Sequence, residues 1–170
     1  SDEWYDKYFK VIDERIQAYI DEDEHFDGDS IILEYLKENK ELIKNRPQCY
    51  LHGDYHMGNM IYTQDNHIKI IDWNTVDFDN YGDPWYEFNR IGLEYPNFVS
   101  GQIDGYFKDN VPNDFWRLLL YYLATSAITS VVWAKYWAPE EYNNIIQLNQ
   151  NILNAFDGMK ALEPEWYMRK

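Results

Sequence analysis

The chain has 170 residues, 45% of them hydrophobic, with 15 basic against 30 acidic side chains and a formal net charge of −15. That length accommodates one domain, 1–170, with a sizeable core. The charge balance excludes a surface built for nucleic acid, whose phosphates demand clustered Lys and Arg; it is compatible with a cationic ligand, although a solvated acidic surface accounts for most of it. One cysteine, Cys49, excludes an internal disulfide and fits a reducing compartment. No basic stretch followed by an apolar run reads as a signal peptide, so a cytoplasmic location is expected.

Residues 1–47 predict leading helices. Tyr5, Tyr8, Phe9, Ile12, Ile16, Tyr19 and Ile20 recur at three- and four-residue spacing over 4–21, the pattern of an amphipathic helix. The acidic run Asp21–Asp29 predicts a turn. Its EF-hand-like spacing is spoiled by His25 at the third ligand position and Ser30 at the eighth. Asp29 or Ser30 is expected to cap a second helix over 31–45, with Ile32, Leu33, Leu36 and Ile43 inward. Pro47 stops it before a short strand, Gln48–His52, on which Cys49 reads as a small buried residue.

The stretch from Tyr50 to Pro84 carries the chemistry. Gly53 allows a sharp turn after His52. Asn59–Thr63 and His67–Ile71 are β-prone arms around Gln64-Asp65-Asn66, so a hairpin is expected to return Asp72 to the side of Asn59, thirteen positions earlier. Asp54 lies on the loop feeding the same end. Two carboxylates and an amide oxygen at one mouth suit phosphoryl transfer, in which positioning and charge neutralisation do most of the catalytic work. Asp72 and Asn59 supply hard oxygens for Mg²⁺, and Asp54 can orient an acceptor hydroxyl and take its proton. His-x-Asp-x-His lacks a third strong ligand at suitable spacing, which disfavours zinc.

His52-Gly53-Asp54-x-His56-x-x-Asn59, followed by Asp72-Trp73 and then Gly82-Asp83-Pro84, closely resembles the aminoglycoside phosphotransferase family, small-molecule kinases on a protein-kinase-like fold. The likeness by motif spans 48–92. It implies Asp54 as catalytic base, and Asn59 and Asp72 as ligands of Mg²⁺ and of the nucleotide, ATP or GTP. His52 reads as support for the loop. His56 stands where it either donates to the γ-phosphate or holds the loop. Glu87 replaces the family's frequent Asp and would brace the loop with a longer arm. The family's N-terminal lobe, with a glycine-rich loop and a strand lysine, has no counterpart before Tyr50, where residues 1–47 hold one glycine. The resemblance thus implies a mostly helical α+β C-terminal lobe with the N-terminal lobe missing, expected to fold but not to transfer phosphate alone.

After Asp72, the segment 73–81 is acidic and without helical periodicity. Asp83 reads as the N-cap and structural brace of a helix opened by Pro84 and continuing through Trp85, Phe88 and Ile91. The region 93–170 predicts helices at 97–107, from Pro112 onward, and from Pro139 to Phe156, closed by Gly158. Leu118–Ala134 runs seventeen residues without a charge, but falls short of a membrane span and contains four Ser or Thr; it reads as a core helix. Trp133, Tyr136 and Trp137 read as core rather than pocket. The family's acceptor site, between the catalytic loop and the terminal helices, makes Glu140, Glu141, Asp157 and Glu163–Glu165, with Trp133 and Trp137, candidates for binding a cationic hydroxyl acceptor. Choline-, sugar- or macrolide-directed kinases share the same core, and a catalytically silent ligand-binding fragment is the rival from another class.

Overall fold

The computed structural model describes residues 3–73, 78–90 and 95–168. Two helices lead, α1 (Glu3–Ile20) and α2 (Asp29–Glu38). Four short strands follow: β1 (Cys49–Tyr50), β2 (Met60–Tyr62), β3 (Ile68–Ile70) and β4 (Tyr81–Gly82). A 3₁₀ segment, Pro84–Arg90, then leads towards α3 (Pro96–Phe107), α4 (Asn113–Trp137) and α5 (Tyr142–Ala155). The fold is mostly helical α+β, and α4 is its axis, packing against α1, α2, α5 and the 3₁₀ segment. Its length and apolar composition would suffice to cross a membrane, yet 72% of its most apolar window is buried inside the protein. The uncharged run reflects neighbours on most sides.

The predicted periodicity of the first helix holds, with Tyr8, Phe9, Ile12 and Tyr19 buried, although Ile20 is exposed. Trp4, outside the predicted apolar line, is the deeper anchor at 1% exposure. Its ring meets Phe78 at 4.9 Å between centroids and Tyr86 at 5.9 Å. Gly82 lies against it: a Cβ there would stand 2.1 Å from Trp4 Cζ3, so only glycine admits the indole.

Several local expectations give way. The second helix begins at Asp29, after Gly28 in left-handed backbone; neither Asp29 nor Ser30 caps it, and no side chain does. Asp29 is instead taken up by Tyr19 Oη at 2.9 Å and His25 Nδ1 at 2.6 Å. The helix ends at Glu38, and Lys40–Ile43 continues as a 3₁₀ turn that still buries Ile43. The strand predicted over Gln48–His52 shortens to Cys49–Tyr50, because its partner β4 offers two residues, with Cys49 facing Gly82 and Tyr50 facing Tyr81. In this two-stranded ribbon Cys49 is exposed rather than buried. Partial burial, then the charges of Glu87 and Asp83, push its thiol pKa up and keep it protonated. Trp133, Tyr136 and Trp137 are not core: they are 51%, 60% and 81% exposed, on the outer face of the last turns of α4, whose inner face buries Val131 and Ala134. Ile91 and residues 74–77 of the acidic segment lie outside the described residues.

At the far end of α4, Lys135 Nζ pairs with Glu22 at 2.7 Å and pins the helix to the α1–α2 turn. At the near end Tyr122 donates to Asp83 Oδ2 at 2.8 Å and accepts from Trp4 Nε1 at 2.9 Å. Arg46 completes the cluster, with Nε 2.7 Å from Asp83 Oδ2 and Nη2 3.2 Å from Oδ1, its guanidinium lying 3.9 Å over Trp85. Burial, then the adjacent Asp83 charge, hold the Tyr122 phenol well above its ordinary pKa, so it remains a donor.

Three outcomes are expected. Removing the buried Asp83 carboxylate leaves Arg46 unpaired, so Asp83→Ala should cost about 3–5 kcal/mol in urea unfolding. Tyr122→Phe, which deletes one donor, should cost about 1 kcal/mol; equal, sub-kilocalorie losses for both would refute the cluster's importance. His25 has a folded pKa raised, chiefly by its hydrogen bond to Asp29, above an unfolded value of about 6.5. Its contribution is therefore complete below that value and lost as pH rises through the folded pKa. The melting-temperature gap between the parent and His25→Ala should be wider under acid than under alkaline conditions; a gap constant with pH would contradict this.

Candidate active site

The site is assembled around two peptide groups. Ile71 donates its N–H to the Asn59 carbonyl at 3.0 Å and its carbonyl accepts from His52 Nε2 at 2.8 Å. The exit of β3 is thereby tied to the entrance of β2 and to the loop before it. The hairpin register, Met60 with Ile70, Ile61 with Lys69 and Tyr62 with Ile68, does the rest. Asp72, the next residue, emerges beside Asn59, as the hairpin predicted. Its backbone is left-handed, with φ 60°, a strained conformation for a non-glycine residue. The carboxylate is exposed, and no hydrogen bond or ion pair ties it to another described residue.

Asn59 is 93% buried, with 7% of its surface exposed. Its Nδ2 donates to the Asp54 carbonyl at 2.9 Å and lies 3.4 Å from Asp54 Oδ2. Those two acceptors decide the orientation of the amide: nitrogen towards Asp54, and Oδ1 turned away. Asp54 receives a second group, since His56 Nε2 stands 3.4 Å from Oδ2. Gly58 donates its N–H to His56 Nδ1 at 3.1 Å, so the proton sits on Nε2 and faces Asp54. His56 thus closes the turn Met57–Asn59 and addresses Asp54 at once.

His52 has both ring nitrogens engaged. Nδ1 accepts the Asp54 N–H at 3.2 Å and Nε2 donates to Ile71, which makes it a neutral bracket between loop and hairpin. Trp73 lies across it at 4.9 Å and against Tyr50 at 6.0 Å. Gly53, at φ 84°, makes the turn that presents Asp54. Its N–H donates to Glu87 Oε1 at 3.1 Å, the longer brace expected at that position.

The oxygens present fit a small hard cation. An amide oxygen already oriented by its own nitrogen and an unpaired carboxylate one residue past the hairpin form the donor set Mg²⁺ takes, with water in its remaining positions. Among the described residues no three His, Cys, Asp or Glu side chains gather into a metal site.

The remaining candidates stand on other elements. Trp133 and Trp137 stand eleven and fifteen residues beyond Tyr122 on α4, about 16 and 22 Å along the helix. Glu140 and Glu141 follow on the exposed 3₁₀ turn, where Glu141 accepts from Asn144 Nδ2 at 3.0 Å. Asp157 is exposed after α5. The tail behind Glu163–Glu165 packs on α3: Tyr167 Oη donates to Asp104 at 2.5 Å, and the Met168 N–H to Ser100 Oγ at 3.0 Å.

What lies beside the loop instead is a groove of about 560 Å³. Met60, Ile68 and Ile70 of the hairpin form one wall, and Asn97, Phe98, Gly101 and Gln102 of α3 the other, with Tyr55 at its end. Tyr55 accepts from Gln102 Nε2 at 3.1 Å. Burial, only partly offset by that hydrogen bond, raises the Tyr55 pKa. The sequence signalled none of this, because the two walls come from a hairpin and a helix well separated along the chain.

If Glu87 holds the loop as described, Glu87→Ala should accelerate amide exchange at Gly53 by about tenfold, the loss of roughly one hydrogen bond. Unchanged exchange would show that Glu87 is incidental.

Against known proteins, the model of the phosphotransferase enzyme family (APH) matches residues 3–119, well over half of the chain. No curated protein and no solved structure matches it.

Proposed function

Because the chain belongs to the phosphotransferase enzyme family, we propose that it is the C-terminal lobe of a kinase that moves the γ-phosphoryl group of ATP or GTP to a hydroxyl of a small molecule. The observation that supports this reading is the clamp of Asn59 on Asp54, at the hairpin entrance to which Ile71 ties the segment leading into Asp72, whose carboxylate has no hydrogen bond or ion pair with another described residue. Asp54 accepts a hydrogen bond from the acceptor hydroxyl and takes its proton late in the reaction. The acceptor oxygen forms a bond to phosphorus as the bond to the β-phosphate bridging oxygen breaks, giving a phosphate monoester and a nucleoside diphosphate. His56, with its proton on Nε2, steadies the Asp54 carboxylate and offers a donor at the place where phosphoryl charge gathers.

Asn59 Oδ1 and Asp72 are the residues that would hold Mg²⁺, which when bound neutralises phosphate charge. Asn59 therefore has two duties, one per end of its amide. Its nitrogen orients the base, and its oxygen addresses the metal. Asn59→Asp would keep an oxygen for the metal and lose the donor to Asp54, separating the two.

In a form that carries the family's N-terminal lobe, Asp54→Asn is expected to lower kcat by about 10²–10⁴-fold with nucleotide affinity little changed. Asp72→Ala is expected to abolish Mg²⁺-dependent nucleotide binding. Single-turnover measurements separate chemistry from product release; full activity of Asp54→Asn under those conditions would remove Asp54 from its role.

A further inference from the structure

The acidic balance of the chain points to a cationic acceptor; the groove points elsewhere. None of its eight described lining residues is charged. In a chain of net charge −15, that makes it a neutral enclave. The carboxylates expected to receive a cation lie instead at the far end of α4 or on exposed turns, as described above. A cationic group seated between Met60, Ile70 and Phe98 would lose water without gaining a counter-charge from the described lining residues.

The polar groups of the groove are neutral and few. Gln102 spends its amide nitrogen on Tyr55, and its Oε1 is buried with no hydrogen-bond partner among the described residues. A buried amide oxygen left unsatisfied calls for a donor. Asn97 adds a second amide on the same wall. The volume is that of a drug-sized ligand, and an apolar cleft with a few convergent polar groups is the usual build of such sites. The groove also starts at the residue after Asp54, and its hairpin wall starts at the residue after Asn59.

We infer that the groove between the β2–β3 hairpin and α3 is the acceptor subsite, and that it takes a neutral, largely apolar hydroxyl compound with a hydrogen-bond donor for Gln102. This deepens the phosphotransferase reading and rests on it for the word acceptor.

Gly101 supplies the test. A Cβ added there meets nothing within 4 Å, and its backbone is ordinary helix, so a larger side chain enters the groove without displacing the fold. Gly105, four residues on, is equally open but does not line the groove. Both Gly101→Leu and Gly105→Leu improve helix propensity, so either variant should fold. The probes are naphthylmethanol and its isostere naphthylmethylamine, neutral and cationic at neutral pH, titrated while backbone and side-chain amide NMR signals are followed. Saturable shifts are expected at Gly101 and Gln102 with the alcohol. Affinity for the amine should be about tenfold or more weaker, the effect of an uncompensated charge. Gly101→Leu should abolish the response and Gly105→Leu preserve it. Equal binding by Gly101→Leu, or a preference for the amine, would overturn the inference. The readout needs no turnover, so failure of the groove leaves the Asp54→Asn result standing, and failure of that assay leaves the groove standing.

Discussion

The structure depends on one buried carboxylate. Asp83 is fully buried and accepts four hydrogen bonds: two from Arg46, one from Tyr122 and one from the Trp85 N–H at 3.1 Å. These donors come from the segment before β1, from α4 and from the 3₁₀ segment itself; Trp4 of α1 joins through Tyr122. A charge taken out of water costs several kcal/mol unless its lone pairs are filled, and here all of them are. The result is a point where every layer must meet in one arrangement. Gly82, next to it, has no Cβ because the Trp4 indole occupies that space.

From that point the loop inherits its position. β4 ends at Gly82, pairs with β1, and so carries the chain into His52 and Asp54 from one side. Glu87, four residues past Asp83, reaches the Gly53 N–H from the other. The hairpin is attached through His52, Ile71 and Asn59, by peptide groups rather than by side-chain packing. Asp72 accordingly has a fixed address and an unoccupied carboxylate in an uncommon backbone conformation, at a cost of order 1–3 kcal/mol. A site built in this way takes its place from the core and its local geometry from the mutual contacts of His52, Asp54, His56 and Asn59.

Much of this was legible. The hairpin, the return of its exit to Asn59 and the turn at Gly53 follow from residue types and spacing, because each is a local geometry; the longer brace at Glu87 follows from the family resemblance. What could not be read were partnerships over long sequence separations. Trp4 and Tyr122 are 118 residues apart, and Arg46 and Asp83 are 37 apart. Nothing in a helical periodicity announces either. The same limit misplaced Trp133, Tyr136 and Trp137: large aromatics on an apolar helix suggest burial, but packing decides which face of a turn is covered, and there Val131 and Ala134 take the inner side. Cys49 failed for the converse reason, since a strand of two residues has too little sheet around it to bury anything.

The hairpin also divides the proposed labour between its faces. Cross-strand pairing sets Met60, Ile68 and Ile70 on one face, towards α3, and by alternation Ile61 and Lys69 on the other, in line with Asn59. A register slip of one residue would exchange these faces and turn Asn59 towards α3. Asp54 is held by the Asn59 amide on one side and is followed in the loop by Tyr55, which lines the groove. A base that must meet an acceptor and a phosphate in line needs that intermediate place. The short strands supply it: with three residues each, β2 and β3 bring both ends of the hairpin back to a single loop, and leave no length over which the two sides could drift apart.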